Sequence, residues 1–536
     1  MLLDLTLLAA LGLALRLPTA VNPSTDNWSV LAKIANQRGR RWLTYAYPDS
    51  LIPGIHAYPI LIHYFVAKLP RRFWFGAGLA LVLISDVLMS FALYAFLRYW
   101  LPEIRPLPSG EVRWLAFLAS AAFVSTPLLV PVTARMRAAN ARAPSLLLVT
   151  GYLLALGAAT LRGEGSWLLP CVSFGLLSIL ASSFATQVLI GFSLVIALAA
   201  WSPWPLLALA ATLAIAWYIP VLGARAVLFF KVNHSLWYLR NRAKVTMVAN
   251  RNLLRNALRT PVLLFRDPVQ GRRLLFREAP LWIVAYSLPL LWLVLAQLAD
   301  GEWRALASDN PVLLFSLWCT LAAAVCFFLT SSGPLTVFGQ AERYFEYAIP
   351  MLTVLAAAYV TQYGLSPDRI FVPLLIANIA IIGLVQVFSE NVNVRMLTRG
   401  CESERAEKDV ARFLAGLPAP VRVATLPIKL AQLFSYYTRG AAPGQLAYYY
   451  RFVVDPTRKI DRAMYFDRDT SELDVFSGAP EGIKEQYAMG WIVADKSFLK
   501  NRRGNSSFIQ ALEKYPIVYE NERYVVYQLG SGSNPS

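Results

Sequence analysis

Thr25-Asp26-Asn27-Trp28-Ser29-Val30-Leu31 lies just past an apolar run over residues 2–20. An acid at the edge of so apolar a segment sets how the rest of the chain is read. The run is long enough for a bilayer, which asks for about 20 apolar residues, and Asp26 is then among the first groups outside it. No other acid lies between residue 5 and Asp49. Trp28, Val30, Leu31, Ile34 and Ala35 recur at near-helical spacing. They predict a helix along the membrane surface with Asp26 at or near its N-terminus. Residues 1–20 lack the basic start of a cleaved signal peptide, so the run reads as a retained first helix.

Composition agrees. Of 536 residues 57% are hydrophobic and 15% charged, with mean hydropathy +0.47, whereas soluble domains carry about 25% charged residues. The net charge is +18. In a soluble chain this would raise nucleic acid as a partner. Here the basic residues flank apolar segments, so phosphate headgroups or a lipid-linked phosphate are the expected partners and nucleic acid is not. The 4 cysteines make no disulfide framework, and with only 3 histidines no Cys/His spacing suggests a metal.

Apolar runs predict about eleven spanning helices, near 2–20, 74–100, 113–130, 143–161, 168–184, 187–200, 204–223, 281–299, 311–330, 346–363 and 369–388. Residues 168–200 read either as one bent helix or as two short ones turning near Ser182 to Gln187. With a cytoplasmic N-terminus, counting crossings puts the loops 21–73, 131–142, 224–280 and 331–345 outside, with everything after 389. Segment 224–280 carries Arg225, Lys231, Arg240, Arg242, Lys244, Arg251, Arg255, Arg259, Arg266, Arg272, Arg273 and Arg277, and the positive-inside rule alone would place it in the cytoplasm. Long loops weigh less under that rule, and the reading follows the count. It gives a mainly α polytopic domain over 1–389 with external amphipathic loop helices. A charged tail, 390–536, reads as an external, periplasmic α/β domain on an inner-membrane protein. Its expected parts are helices at 404–414 and 508–514, strands at 421–425 and 491–495, and a hairpin of 517–520 and 524–527 about Asn521-Glu522-Arg523.

Polar residues in this frame are the candidates for chemistry. Asp26 has two readings that are compatible: an N-cap satisfying helix amides, or a reactive carboxylate. His56 and His63 flank Tyr58-Pro59 and suit hydrogen bonding at the membrane surface better than metal binding, since no third ligand lies nearby. Thr133 to Pro144 holds Arg135, Arg137, Asn140 and Arg142 and no acid. Phe338-Gly339-Gln340-Ala341-Glu342-Arg343-Tyr344-Phe345-Glu346 opens a late apolar helix. Arg343 there reads either as snorkelling to the interface or as gripping an anion, and it can also pair with Glu346 at i,i+3 spacing. His234 and Trp237 lie in the basic segment without a feature that singles them out. Asp86 and Gln187 sit inside apolar runs, where polar groups are expensive.

The order of these elements resembles the GT-C class of glycosyltransferases: a first helix, an acid in an external loop with a surface helix, then Tyr58-Pro59-Ile60-Leu61-Ile62-His63 before the second helix. That class includes protein O-mannosyltransferases, aminoarabinose transferases and oligosaccharyltransferases, which use polyprenyl-phosphate-linked sugars. The Glu342-Arg343-Tyr344 helix entry is similar to that of its bacterial members. The resemblance implies that Asp26 deprotonates or positions the acceptor and that Arg343 contacts the donor phosphate, joined by Arg135, Arg137 and Arg142. It leaves His56, Tyr58, His63, Asn140, Glu342, Glu346 and His234 as residues of the substrate cleft. Oligosaccharyltransferases carry acidic metal ligands in the loop that here holds only Arg and Asn. That departure favours a metal-independent monosaccharide transferase, and a divalent ion would have to work without a second acidic ligand. No cofactor is expected; the expected partners are the lipid-linked donor, membrane lipids and an acceptor that is lipid, glycan or protein. Two other functions fit less well: a flippase for a lipid-linked sugar, and a non-catalytic subunit of envelope glycan assembly.

Overall fold

The computed structural model describes the chain except residues 21–24, 44–48, 52–58, 131–140, 220–222, 241–250, 429, 439–445, 449–479, 503–506 and 531–536. It divides into two compact units. The first comprises 1–22, 76–220 and 241–392; the second comprises 23–75, 221–240 and 393–536.

The first unit is helical, and each expected span is met by a helix. By length and composition, six helices among the described residues can cross a membrane, or seven if a bent pair counts as one span. The six are Ala80–Ile104, Arg142–Arg162, Ser183–Ala200, Pro311–Ser331, Arg343–Gln362 and Pro367–Phe388. Leu2–Ala20, Ser109–Val124, Leu168–Ala181 and Trp204–Tyr218 occupy the other expected positions. The region 168–200 is two helices, parted at Ser182, whose extended backbone (φ −149°, ψ 128°) ends one and starts the next. Sequence periodicity suggests a single span at 281–299, but the structure bends it by 81° between Pro280–Ser287 and Pro289–Gln297. Pro289 explains the bend. It has no N–H to continue the ladder and pushes the preceding Leu288 out of the helical region; Leu288 sits at φ −131°, ψ 63°.

Arg343–Gln362 is the hub of this unit. It is buried almost throughout and packs on Pro311–Ser331, Ser109–Val124, Pro289–Gln297 and Arg142–Arg162. Two ionic clamps fix the first helix. Arg16 Nε lies 2.8 Å from Asp86 Oδ2, both side chains being fully buried, and Arg16 Nη1 also donates to the Val124 carbonyl at 2.9 Å. Arg113 grips Asp4 with two parallel hydrogen bonds of 2.7 Å. Asp86, read from sequence as an expensive polar group of unknown partner, is thereby accounted for as half of a structural pair.

The second unit is built on a five-stranded sheet of order β2-β1-β3-β5-β4. Its strands are β1 Val421–Leu426, β2 Leu446–Tyr448, β3 Trp491–Asp495, β4 Ile517–Glu520 and β5 Tyr524–Gln528. β1 runs parallel to β2 and β3, while β5 is antiparallel to β3 and β4. Side chains alternate between faces, as the period of two requires. Val421, Val423, Val493, Tyr524 and Val526 meet helix Leu430–Thr438 and the end of Pro367–Ala415 on one side. Ala424, Leu426, Ile492, Ala494 and Tyr527 meet Phe508 and Leu512 on the other. The expected hairpin is present, and Asn521 Oδ1 closes its turn by accepting from Arg523 N (3.0 Å) and Tyr524 N (2.8 Å). β2 was not foreseen, because three residues are too few to display alternation.

Segment 23–75 belongs to the same unit. Thr25–Gln37 packs on Leu430–Thr438 and on Leu61–Ala67. Ser50 bridges Tyr448 at the sheet edge, with Tyr448 N donating to Asp49 O at 2.7 Å and Leu51 N to Tyr448 O at 2.9 Å. Ser435 Oγ donates to Asp49 Oδ2 at 2.6 Å. The loop helix therefore turns its buried side, with Leu31, Ala32 and Ile34, toward protein.

Candidate functional site

The clearest constellation in the first unit gathers at the start of Arg343–Gln362. The 3₁₀ turn Gly333–Phe338 leads to Gly339, whose φ of 104° falls where an L side chain is strained. The chain then passes through Glu342 into the helix. The first three helical N–H groups are taken by the carbonyls of Gln340, Ala341 and Glu342, so the helix end offers its dipole rather than free donors.

Three charged residues here have different surroundings. Glu342 is buried and paired with Arg251, Nη1 to Oε2 at 3.3 Å and Nη2 to Oε1 at 3.4 Å. Arg251 also donates to the Gly339 carbonyl at 3.4 Å. Arg142 Nη2 reaches Gln340 Oε1 at 3.2 Å. Arg343, half-buried, lies over the ring of Phe184, 3.9 Å from its centroid. Its Nε is buried, and among the described residues its guanidinium has no hydrogen bond and no ion pair. A cation on an aromatic face is held electrostatically, yet its five donors still want acceptors. Phe184 also packs with Tyr344 (5.0 Å) and Tyr347 (6.2 Å), and Ser145 Oγ lies 3.0 Å from the Tyr347 hydroxyl. The platform under Arg343 is thus fixed from three sides, while the guanidinium itself makes no ion pair among the described residues.

The structure therefore brings together Arg142, Glu342 and Arg343 of the residues expected from sequence, with Glu346 buried in the first turn. Arg251 and Phe184 were missed as members. The adjacency of Glu342 and Arg343 carried one clue, since neighbouring charges on a helix point apart and each needs its own partner. Arg135, Arg137, Asn140, His56 and Tyr58 lie outside the described residues. So do the side chains of Asp26 and His234, whose backbones belong to helices Thr25–Gln37 and Ala224–Arg240. The first of these helices puts Asp26 in its first turn.

In the second unit His63 is buried on Leu61–Ala67. Burial, helped by the charge of Lys33, holds its imidazole neutral with the pKa pushed down to about 3. Its Nδ1 has no hydrogen-bond partner among the described residues. Lys33, Asn36 and Gln37 are buried on the facing helix, so the amphipathic loop helix conceals polar as well as apolar groups. Among the described residues no three His, Cys, Asp or Glu side chains converge as a metal-binding set.

Neither a protein-family model nor a curated protein sequence matches the chain. Solved structures do. ArnT from Cupriavidus metallidurans, bound to undecaprenyl phosphate, superposes with TM-score 0.50 at 14% identity, covering 99% of this chain and 99% of its own. The Archaeoglobus fulgidus oligosaccharyltransferase, in complex with Zn and sulfate, gives TM-score 0.52 at 12% identity over 93% of this chain and 68% of its own. The archaeal oligosaccharyltransferase AglB from Archaeoglobus fulgidus, in complex with an inhibitory peptide and a dolichol-phosphate, gives 0.50 at 12% identity over 92% and 69%. The chain shares the fold of ArnT and of the archaeal oligosaccharyltransferase, both members of the GT-C class that its sequence resembles.

Proposed function

We propose that the protein is a membrane glycosyltransferase that moves a sugar from a polyprenyl-phosphate carrier to a lipid, glycan or protein acceptor. The observation that carries this reading is Arg343. A half-buried guanidinium stacked on Phe184, at the positive end of a long helix, with no ion pair among the described residues, suits an anion. A chain with this fold and several apolar helices would meet that anion as a lipid-linked phosphate.

In this reading Asp26 takes the proton of the acceptor hydroxyl as its oxygen attacks the anomeric carbon. The bond from that carbon to the phosphate oxygen breaks, and the polyprenyl phosphate leaves with the negative charge that Arg343 holds. Arg142, Arg135 and Arg137 assist at the phosphate. In the same reading His56, Tyr58, Asn140, Glu346 and His234 are the candidates for the substrate cleft, whereas His63 is buried against the helix that carries Lys33. Glu342 positions the Arg343 turn through Arg251. Phosphate is a good leaving group, so one base and several cations suffice. A glycosidase would need two carboxylates flanking the bond. The reading places eleven spans in the inner membrane, with the tail, 390–536, outside.

The test is transfer from a radiolabelled polyprenyl-phosphate sugar by the purified protein and its Asp26→Asn variant. Loss of a general base lowers the rate by about 10²–10⁴-fold with the melting temperature unchanged. Normal turnover by the variant removes Asp26 from the mechanism.

A further inference from the structure

Helix Leu253–Arg266 is inside out for a protein surface in water. Leu254, Leu258, Val262 and Phe265, spaced four, four and three residues apart, form one stripe. Leu254 is 70%, Leu258 74% and Phe265 90% exposed. The polar Asn256 and Thr260 face inward instead and are buried. Asn256 Nδ2 donates to the Glu278 carbonyl at 2.6 Å, and Trp282 Nε1 donates to the Ala257 carbonyl at 2.8 Å. Asn252 caps the helix by accepting from Arg255 N. The helix folds back on Pro268–Arg273 at Gly271, where a side-chain carbon would come within 2.5 Å of Leu264 N. This outward apolar stripe is therefore held in place by a rigid hairpin.

Alongside the stripe, Arg255, Arg259 and Arg266 form a second exposed row, one position C-terminal to Leu254, Leu258 and Phe265. An apolar stripe bordered by arginines on one side matches the boundary of a bilayer, with acyl chains below and phosphates at the level of the guanidinium groups. Water would leave the stripe unfavourably hydrated, and a hydrocarbon interior is a costly place for three guanidinium groups. Pro280, where the bent apolar pair begins, follows within a few residues of the hairpin.

We propose that Leu253–Arg266 lies in the plane of the membrane surface with Leu254, Leu258 and Phe265 among the acyl chains, and that Arg255, Arg259 and Arg266 bind anionic phospholipid headgroups. The helix is tied to the Glu342 turn. Arg251, paired with Glu342, directly precedes its cap residue Asn252, and Leu253 N donates to Ser332 Oγ at 2.8 Å.

Two measurements on the full-length protein test this. A spin label at Leu258→Cys, in a Cys401→Ser background and in nanodiscs, is expected to relax faster with oxygen than with a water-soluble nickel chelate. Native mass spectrometry of the detergent-solubilised protein is expected to show retained phosphatidylglycerol over phosphatidylcholine. The Arg255→Gln/Arg259→Gln/Arg266→Gln variant should weaken that preference about tenfold. Greater access of nickel to the label would show a stripe facing water or a protein partner. Equal retention of both lipids, or a variant that keeps the preference, would show that the arginines do not read headgroup charge. Either result overturns the proposal.

Discussion

Arg16 and Arg343 are both removed from bulk water inside the helical unit, yet their surroundings differ. Arg16 is fully buried against Asp86, and its guanidinium also reaches a backbone carbonyl. Arg343 rests on a ring, retains part of its exposure and meets no acceptor among the described residues. Desolvating a charge is costly unless it is paired. The first arginine therefore explains itself as structure, whereas the second is the one that the proposed function supplies with a ligand. Arg251 belongs with the first kind, although it sits beside the second through Glu342. Positive charge near a site is thus a poor guide to function; unmet hydrogen-bonding capacity is a better one.

Breaking pairs of the first kind should damage the fold. Asp86→Ala leaves Arg16 buried without its partner and should cost about 3–5 kcal/mol, read as lost thermal stability of the purified protein. Replacing both residues by apolar ones of similar size should restore most of that loss, since a buried pair is replaceable as a unit. Arg251→Ala should cost less, about 1.5–3 kcal/mol, the range for hydrogen bonds to a charged group. Its contacts are longer, at 3.3–3.4 Å.

The histidine of the second unit gives a smaller, pH-graded effect. His63 has its pKa lowered from 6.5 to about 3 in the folded protein, so below pH 6.5 the unfolded chain binds a proton that the folded one refuses. The stability this group contributes is present above that pH and is lost as pH falls toward 3, by up to about 1.4 kcal/mol per pH unit. Denaturation of the wild type and of His63→Leu across pH 7 to 5 measures it, and the variant should lack this part of the slope. Smallest of all is the expected stability change for Arg343→Gln, about 0.5–1 kcal/mol, because only the contact with the Phe184 ring and no ion pair is lost. A large loss would place Arg343 with Arg16.

Much of this organisation was legible in the sequence, and the reasons differ by region. Apolar helices announce themselves by length and hydropathy, and β3, β4 and β5 by local alternation, so a helix or strand was found at those positions. Six or seven of the helices among the described residues are able to cross a membrane. The break at Leu288 was not, although Pro289 stood in the run, because hydropathy averages across a proline. The pairs were invisible for another reason. Arg16 and Asp86 are 70 residues apart and Arg251 and Glu342 are 91 apart, and no spacing rule links such positions. The Arg343 motif was legible as a charged helix entry, but its ring platform, Phe184, is one aromatic among many in the apolar runs and carries no signal of its own. Segment 23–75 was read as a membrane-surface loop. Its union with the tail depends on Asp49, Ser50 and Tyr448, whose pairing is set by tertiary approach alone.

The most direct test is to titrate a polyprenyl phosphate into the purified wild-type protein and its Arg343→Gln variant at matched folding. If Arg343 grips the phosphate in a dry site, the variant should bind about 10²–10³-fold more weakly. Equal affinity in the two proteins would contradict the account.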